Sequence, residues 1–344
     1  MKKVIIVIVK YLLAFSIAIF LLWWSLSGLT DKDVIDIKAA LKEAHYWLLF
    51  PVFGVLLLSH IFRALRWRQL IMPMGYNPSP FYLICGVLIG YIGNQLIPRA
   101  GEVLRCTSIS KSTKVPSEKL IGTIVAERAF DICCLIPITI GVFYYEWDHI
   151  STYANEIGNA IRNGIAAKRG KGWIALILIA FVLLVYLLYR RYKTHKVGGF
   201  LVKIFKGLAQ GLTSIKNVQN KFLFLVYTAG IWICYTAATY LGCFALDATS
   251  HLGIGAGFSM LIFGTVGIIV APGGLGAYPI AIQKTLVLYG ITDIIGLASG
   301  WILWIAQFIF VLVFGTAAWI AIRMVNKKID EEYIIHTKQD QSTA

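Results

Sequence analysis

Long apolar runs separated by short charged loops dominate this chain of 344 residues. A helix of about 20 apolar residues crosses roughly 30 Å of hydrocarbon. Six runs predict full spans, near residues 4–26, 46–66, 119–145, 173–189, 222–246 and 296–322. Two further apolar segments, 79–98 and 254–290, are interrupted. The first ends in "YIGNQLIPRAGEVLRC" (residues 91–106) and the second contains "TVGIIVAPGGLGAYPIAIQK" (residues 265–284). Pro98, Pro272, Gly273, Gly274, Gly276 and Pro279 break any helix there, because proline removes a donor and glycine lacks a packing side chain. Backbone groups freed at membrane depth are tolerated only inside protein or against a watery cavity. The pattern therefore predicts an all-α polytopic membrane protein, with about six full spans and two re-entrant or broken helical segments.

Charge assigns the sides. Lys2 and Lys3 place the N-terminus in the cytoplasm, by the excess of basic residues in cytoplasmic loops. The loop 27–45 balances three lysines against three aspartates and a glutamate, which suits the outside. Arg63, Arg66 and Arg68 bring the chain back to the cytoplasmic face, where His60 reads as a helix-end residue. The loop 190–221 has eight Lys/Arg and no acid, so it is expected in the cytoplasm. Its apolar residues interleave with lysines ("GGFLVKIFKGLAQGL"), as in an amphipathic helix on the anionic inner leaflet. The tail after Arg323 is cytoplasmic as well. A full crossing by 79–98 would put Arg99, Arg105, Lys111, Lys114 and Lys119 outside, against the rule. A segment that dips in and returns over 79–112 keeps them inside. The outside loop 146–172, with Arg162, Lys168, Arg169 and Lys171, is the exception to this assignment.

The two halves share a layout. A span starts near residue 47 and Pro98 follows 51 residues later, while another starts near 222 and Pro272 follows 50 residues later. The first runs inward and the second outward, the pattern of an inverted repeat with paired broken helices at a central site. The expected repeats are 46–189 and 222–322, within one membrane domain of residues 1–325 followed by a short polar tail, 326–344.

Composition agrees, with 58% hydrophobic and 14% charged residues. The net charge of +15 sits mostly in loops, where topology explains it without a nucleic-acid partner. Cys85, Cys106, Cys133, Cys134, Cys234 and Cys243 lack CxxC spacing and read as small core residues. Trp23, Trp24, Trp47 and Trp67 lie near span ends, as interfacial anchors do. The apolar stretch at the N-terminus is too long for a signal peptide and is expected to stay as a first helix. There is no HExxH, GxSxG or Walker A sequence, and no metal site or cofactor is expected.

Two constellations carry chemistry. One comprises Asn94, Pro98, Arg99, Gly101, Glu102 and Arg105. The other is "AERAFD", where Glu127 and Asp131 share a helical face at i, i+4 with Arg128 beside them. Charges at membrane depth cost at least ~2.5–3.5 kcal/mol each, so these must face partners rather than lipid. One reading is a salt-bridge network of Arg99 or Arg105 with Glu127 or Asp131 that only closes the broken helix. The other is a cytoplasm-facing cavity in which an arginine meets an anionic group such as a lipid phosphate.

The run N-x3-P-R-x-G-E-x2-R, the ER-x2-D that follows and the later PGGLG resemble the membrane domain of the lysylphosphatidylglycerol synthase/flippase family. The resemblance covers residues 5–325. It places Asn94, Pro98, Arg99, Gly101, Glu102 and Arg105 on the first motif and Glu127, Arg128 and Asp131 on the second. Pro272, Gly273, Gly274, Leu275 and Gly276 fall on the third. Family members often carry an acid just after PGGLG, where this chain has Tyr278 and Pro279. The best-known members join this domain to a soluble transferase that attaches lysine to phosphatidylglycerol, and the membrane part is held to move the product. This sequence ends at Ala344 without such a segment, so lysyl transfer is not expected.

The resemblance implies movement of an anionic or polyprenyl-linked lipid between leaflets of the cytoplasmic membrane. Membrane lipids, and a separate lipid-modifying enzyme, are the expected partners. A membrane-embedded enzyme using Glu127 or Asp131 as general base, and a small-solute transporter, are the alternatives.

Overall fold

The computed structural model describes residues 19–23, 25–96, 100–147 and 218–342, with Ser16 and Ser151. Every regular element among them is helical. The chain divides into two compact units, residues 1–124 with 215–344, and residues 125–214. Most of the predicted span 4–26, the span 173–189 and the amphipathic segment before residue 218 lie outside the described residues.

In the first unit, α1 (Asp31–Glu43) opens with a capping box, in which the Thr30 side chain and the Asp33 side chain satisfy each other's backbone N–H groups. A short 3-10 turn, Tyr46–Leu48, leads into α2 (Leu49–Ile71). Three segments are long and apolar enough to cross a membrane, Tyr46–Met74, Lys221–Cys243 and Asp293–Lys327. They coincide with the predicted spans at 46–66, 222–246 and 296–322.

Each interrupted segment is a helical hairpin. The first consists of α3 (Pro80–Leu96) and α4 (Ala100–Thr113), 17 and 14 residues long. At 1.5 Å per residue these arms reach roughly 25 and 21 Å, short of a full crossing. They run antiparallel and very close. A Cβ on Gly86 would meet Ile109, one on Gly90 would meet Arg105, and one on Gly93 would meet Gly101. Small residues let backbones approach in this way where lipid offers no hydrophobic drive. The stretch expected as a loop after residue 99 is thus helical from Ala100.

After α5 (Ser117–Tyr145) and the undescribed stretch, α6 (Lys221–Cys243) begins the second half, with Asn220 accepting from the Leu223 N–H as N-cap. The second hairpin is α7 (Ile254–Val270) and α8 (Ala277–Val287), with Gly264 and Gly267 packed against Tyr278. Its turn follows from Pro-Gly-Gly. Gly273, Gly274 and Gly276 have φ of 59°, 72° and 73°, a region that side chains rarely adopt. Finally α9 (Asp293–Ser342) holds both hairpins, with Gly300 against Pro279 of α8 and Gly315 against Ile92 of α3.

The halves repeat the order long helix, hairpin, long helix. Their first helices, α2 and α6, are antiparallel, because Phe62 meets Gly230 while Arg66 meets Phe224 and Thr228. The main core joins α2, α3, α4 and α9 around Trp67, Leu83, Ile109 and Phe310. A second cluster joins α7 and α8 around Met260, Tyr278, Ile282 and Leu286. Cys85, Cys106, Cys234 and Cys243 are buried as small core residues.

Of the second unit, the described part is chiefly the remainder of α5, which stays helical through Pro137.

Candidate functional site

The two hairpin turns meet. A Cβ on Gly273 would lie 2.8 Å from Nε2 of Gln95, the penultimate described residue of α3 before its turn. The indole of Trp304 on α9 donates to the Gly273 carbonyl at 2.8 Å, so the second turn is held from behind. Gly276 lies against the backbone of Leu21 and Leu22.

On the first hairpin, Asn94 Oδ1 accepts from the Gly101 N–H at 3.0 Å. The side chain thereby satisfies one of the N–H groups left open at the start of α4. Gly101 is confined: a Cβ there would fall 1.8 Å from the Gly90 carbonyl oxygen. Glu102 is half-buried one residue on. Arg105 is buried, with its Cζ 3.8 Å from the Trp67 ring centroid, a close cation–π contact. Pro98 and Arg99 lie outside the described residues. The structure therefore brings Asn94, Gly101 and Gly273 to the meeting point of the turns, with Arg105 one turn deeper in α4. Pro272 and Gly274 complete the second turn.

In the second unit Glu127 is fully buried, while Arg128 and Asp131 are half-buried. They lie on one continuous helix, so Glu127 and Asp131 share a face as their spacing predicts.

Sequence reasoning missed a buried polar seam between α2, α3 and α6. His60, Arg63 and Arg66 are 3%, 4% and 0% exposed. His60 sits mid-helix, because α2 continues to Ile71 rather than ending near 66. Its ring lies 4.3 Å from that of Tyr91, centroid to centroid. The hydroxyls of Tyr91 and Tyr235 are 2.9 Å apart, and Arg63 Nη2 donates to Tyr235 at 3.3 Å. Arg66 donates to Thr228 at 3.5 Å, and its guanidinium lies over Phe224. Trp67 is not an interfacial anchor. It is fully buried and donates to Thr123 Oγ1 at 2.7 Å, whereas Trp23 and Trp47 are exposed as expected. The signal was the spacing 60, 63, 67 (i, i+3, i+7), which puts these side chains on one face of an apolar helix.

The profile described as "Lysylphosphatidylglycerol synthase TM region" matches residues 8–315. Glycosyltransferase AglD of Haloferax volcanii is 24% identical over 101 residues, which is 29% of this chain and 16% of that protein. A UPF0104 membrane protein of Methanocaldococcus jannaschii is 26% identical over 147 residues, 42% of this chain and 40% of the relative. The chain thus spans less than half the length of either curated relative. No solved structure matches. With its profile match running nearly end to end, the chain is a membrane protein that belongs to the lysylphosphatidylglycerol synthase TM region family.

Proposed function

We propose that the protein translocates a lipid with an anionic or polyprenyl-linked headgroup between the leaflets of the cytoplasmic membrane, with both termini in the cytoplasm. The observation that carries this reading is the meeting of two short hairpins at Gln95 and Gly273, beside an interior rich in arginine. Hairpins too short to cross, joined turn to turn, give a site near the middle of the bilayer that rocking of either half would open to one side. A guanidinium there engages a phosphate oxygen pair bidentately. Arg99 and Arg105 are the arginines of the family-like motif, and Asn94, Gly101 and the second turn shape the passage. Glu127, buried on α5, and Asp131 one turn further along the same helix are candidates for proton exchange during the cycle.

The glycosyltransferase relative favours one second reading, an enzyme or enzyme subunit acting on a lipid headgroup. An enzyme changes lipid mass, whereas a translocase changes only sidedness. The test is leaflet exchange of fluorescent phosphatidylglycerol and phosphatidylcholine in liposomes, with wild type, Arg99→Ala and Arg105→Gln. Faster exchange of the anionic lipid, lost in the variants, supports translocation. Absence of exchange together with a new lipid mass from headgroup donors supports the enzyme.

A further inference from the structure

We infer that Tyr91, Tyr235 and His60 form a site that reads a hydroxyl of the cargo headgroup, a glycerol or sugar-like polyol, one helical turn from the junction of the hairpins. The inference deepens the translocation reading and takes the lipid from it; the hydroxyl chemistry stands on its own.

A count of hydrogens is the first argument. The three side chains lie in the first unit, on α3, α6 and α2. An arginine only donates, so the bond of 3.3 Å from Arg63 Nη2 uses a lone pair of the Tyr235 oxygen and no phenol hydrogen. The two phenol oxygens stand 2.9 Å apart with one hydrogen between them. Two phenols carry two hydrogens, so one is left without an acceptor among the described residues. The threonines of α6 differ: Thr228, Thr236 and Thr239 donate to the carbonyls of Phe224, Trp232 and Tyr235.

His60 supplies the second argument. It is buried, and its Nδ1 makes no hydrogen bond among the described residues. Its ring lies against those of Tyr91 and Phe310, at 4.3 and 5.4 Å from centroid to centroid. The buried indole nitrogen of Trp232 is unmet as well, and that ring stands edge-on to Tyr235. Native interiors rarely leave such atoms unpaired, so several of them around one phenol pair mark the place of a polar partner.

The chemistry of that partner follows. The imidazole nitrogen accepts or donates according to tautomer, while the spare phenol hydrogen needs an acceptor. A hydroxyl meets both, since it takes a hydrogen and gives one. An ionised phosphate oxygen only accepts, which fails an accepting imidazole nitrogen, and an ammonium only donates, which fails the phenol. Position agrees. Tyr91 and Gln95 are spaced i, i+4 and share a face of α3, so the phenol pair lies one turn from the contact of Gln95 with Gly273.

The test uses the full chain in detergent, reading its thermal midpoint against dioctanoyl phosphatidylglycerol and dioctanoyl phosphatidylpropanol. These lipids share charge and size and differ in the headgroup hydroxyls. Neutral hydrogen bonds favour binding severalfold, so the glycerol lipid is expected to reach a given shift at about fivefold lower concentration. In Tyr91→Phe and in His60→Phe the two titrations should converge. A merely structural role would weaken both lipids alike and keep their ratio. If one variant elutes as aggregate, the other decides. Dioctanoyl phosphatidylinositol separates the sources: a preference shared with it assigns a polyol in general, and one confined to phosphatidylglycerol assigns glycerol.

Equal titrations in wild type, or a ratio kept by both variants, overturn the inference. Liposome exchange separates the two proposals. No exchange by wild type, with the binding ratio intact, withdraws translocation and keeps the hydroxyl site. Exchange with a binding ratio of one does the reverse.

Discussion

The Trp304 indole N–H is bonded to the carbonyl oxygen of Gly273 at 2.8 Å, so a residue of the last long helix fixes the turn of the second hairpin. Gly273 adopts φ of 59° and carries Gln95 of the other hairpin on its open side. One residue thus joins three elements, and it has room for no side chain.

Trp304→Phe keeps the ring and removes the donor, leaving the part-buried Gly273 carbonyl without its bond. An unmet acceptor costs about 1–3 kcal/mol when fully buried, and the part-buried site here falls at the lower end. The thermal midpoint of the purified protein should fall, and lipid exchange should slow more than that fall alone explains, because the turn is no longer held. Exchange unchanged in Trp304→Phe at a temperature well below its midpoint would separate this bond from function.

Gly101→Ala tests the first hairpin. The new methyl would fall 1.8 Å from the Gly90 carbonyl, so α3 and α4 must separate. Overpacking of this kind costs ~1–3 kcal/mol, and more where backbone is the obstacle. Gly54→Ala is the control, since a Cβ there meets nothing within 4 Å and alanine is the better helix former by up to about 1 kcal/mol. The midpoint is expected to drop for Gly101→Ala and to hold or rise for Gly54→Ala.

Much of this arrangement was legible in the sequence. Average hydropathy located the long helices, because a helix that crosses hydrocarbon must be apolar along its length. Pro272 and its glycines marked a turn inside an apolar run, which only a hairpin accommodates. What averaging hid was the buried seam of α2. Arg63, Arg66 and Arg68 near the end of an apolar run look like a cytoplasmic anchor, and for Arg63 and Arg66 the structure places them inside instead. Only the face they occupy tells the two apart. The helix from Ala100 was hidden for another reason. Its sequence, AGEVLRCTSISKST, is too polar to stand as a span and is helical here because Gly90 and Gly93 let it lie against α3.

Outside the spans, the capping box of α1 gives a pH dependence. The Asp33 carboxylate accepts from the Thr30 N–H and hydroxyl, each at 2.8 Å, and these bonds hold its pKa below the ordinary 3.8. A depressed carboxyl pKa contributes stability that is present above the unfolded value and is lost as pH falls through the folded one. Hydrogen-exchange protection of Asp31–Glu43, corrected for intrinsic rates, should therefore be flat above about pH 5 and decline below the ordinary carboxylate range. In Asp33→Asn the decline should be smaller, since the titrating group is gone.

Trp67 offers the sharpest test of whether the buried arginines need aromatic cover. Its N–H donates to Thr123 at 2.7 Å while its face lies 3.8 Å from the Arg105 guanidinium carbon. These two contacts are separable. Thr123→Val removes the acceptor and keeps the ring, so it should cost about 1–3 kcal/mol through the orphaned indole N–H and leave anion binding intact. Trp67→Leu removes both, and the cation–π contact adds about 2 kcal/mol when desolvated. The double variant Trp67→Leu, Thr123→Val should be no worse than Trp67→Leu alone, because the bond is lost once. If Trp67→Leu instead costs no more than Thr123→Val in thermal unfolding, the ring contributes nothing to holding Arg105. The arginine would then be kept in place by charge alone.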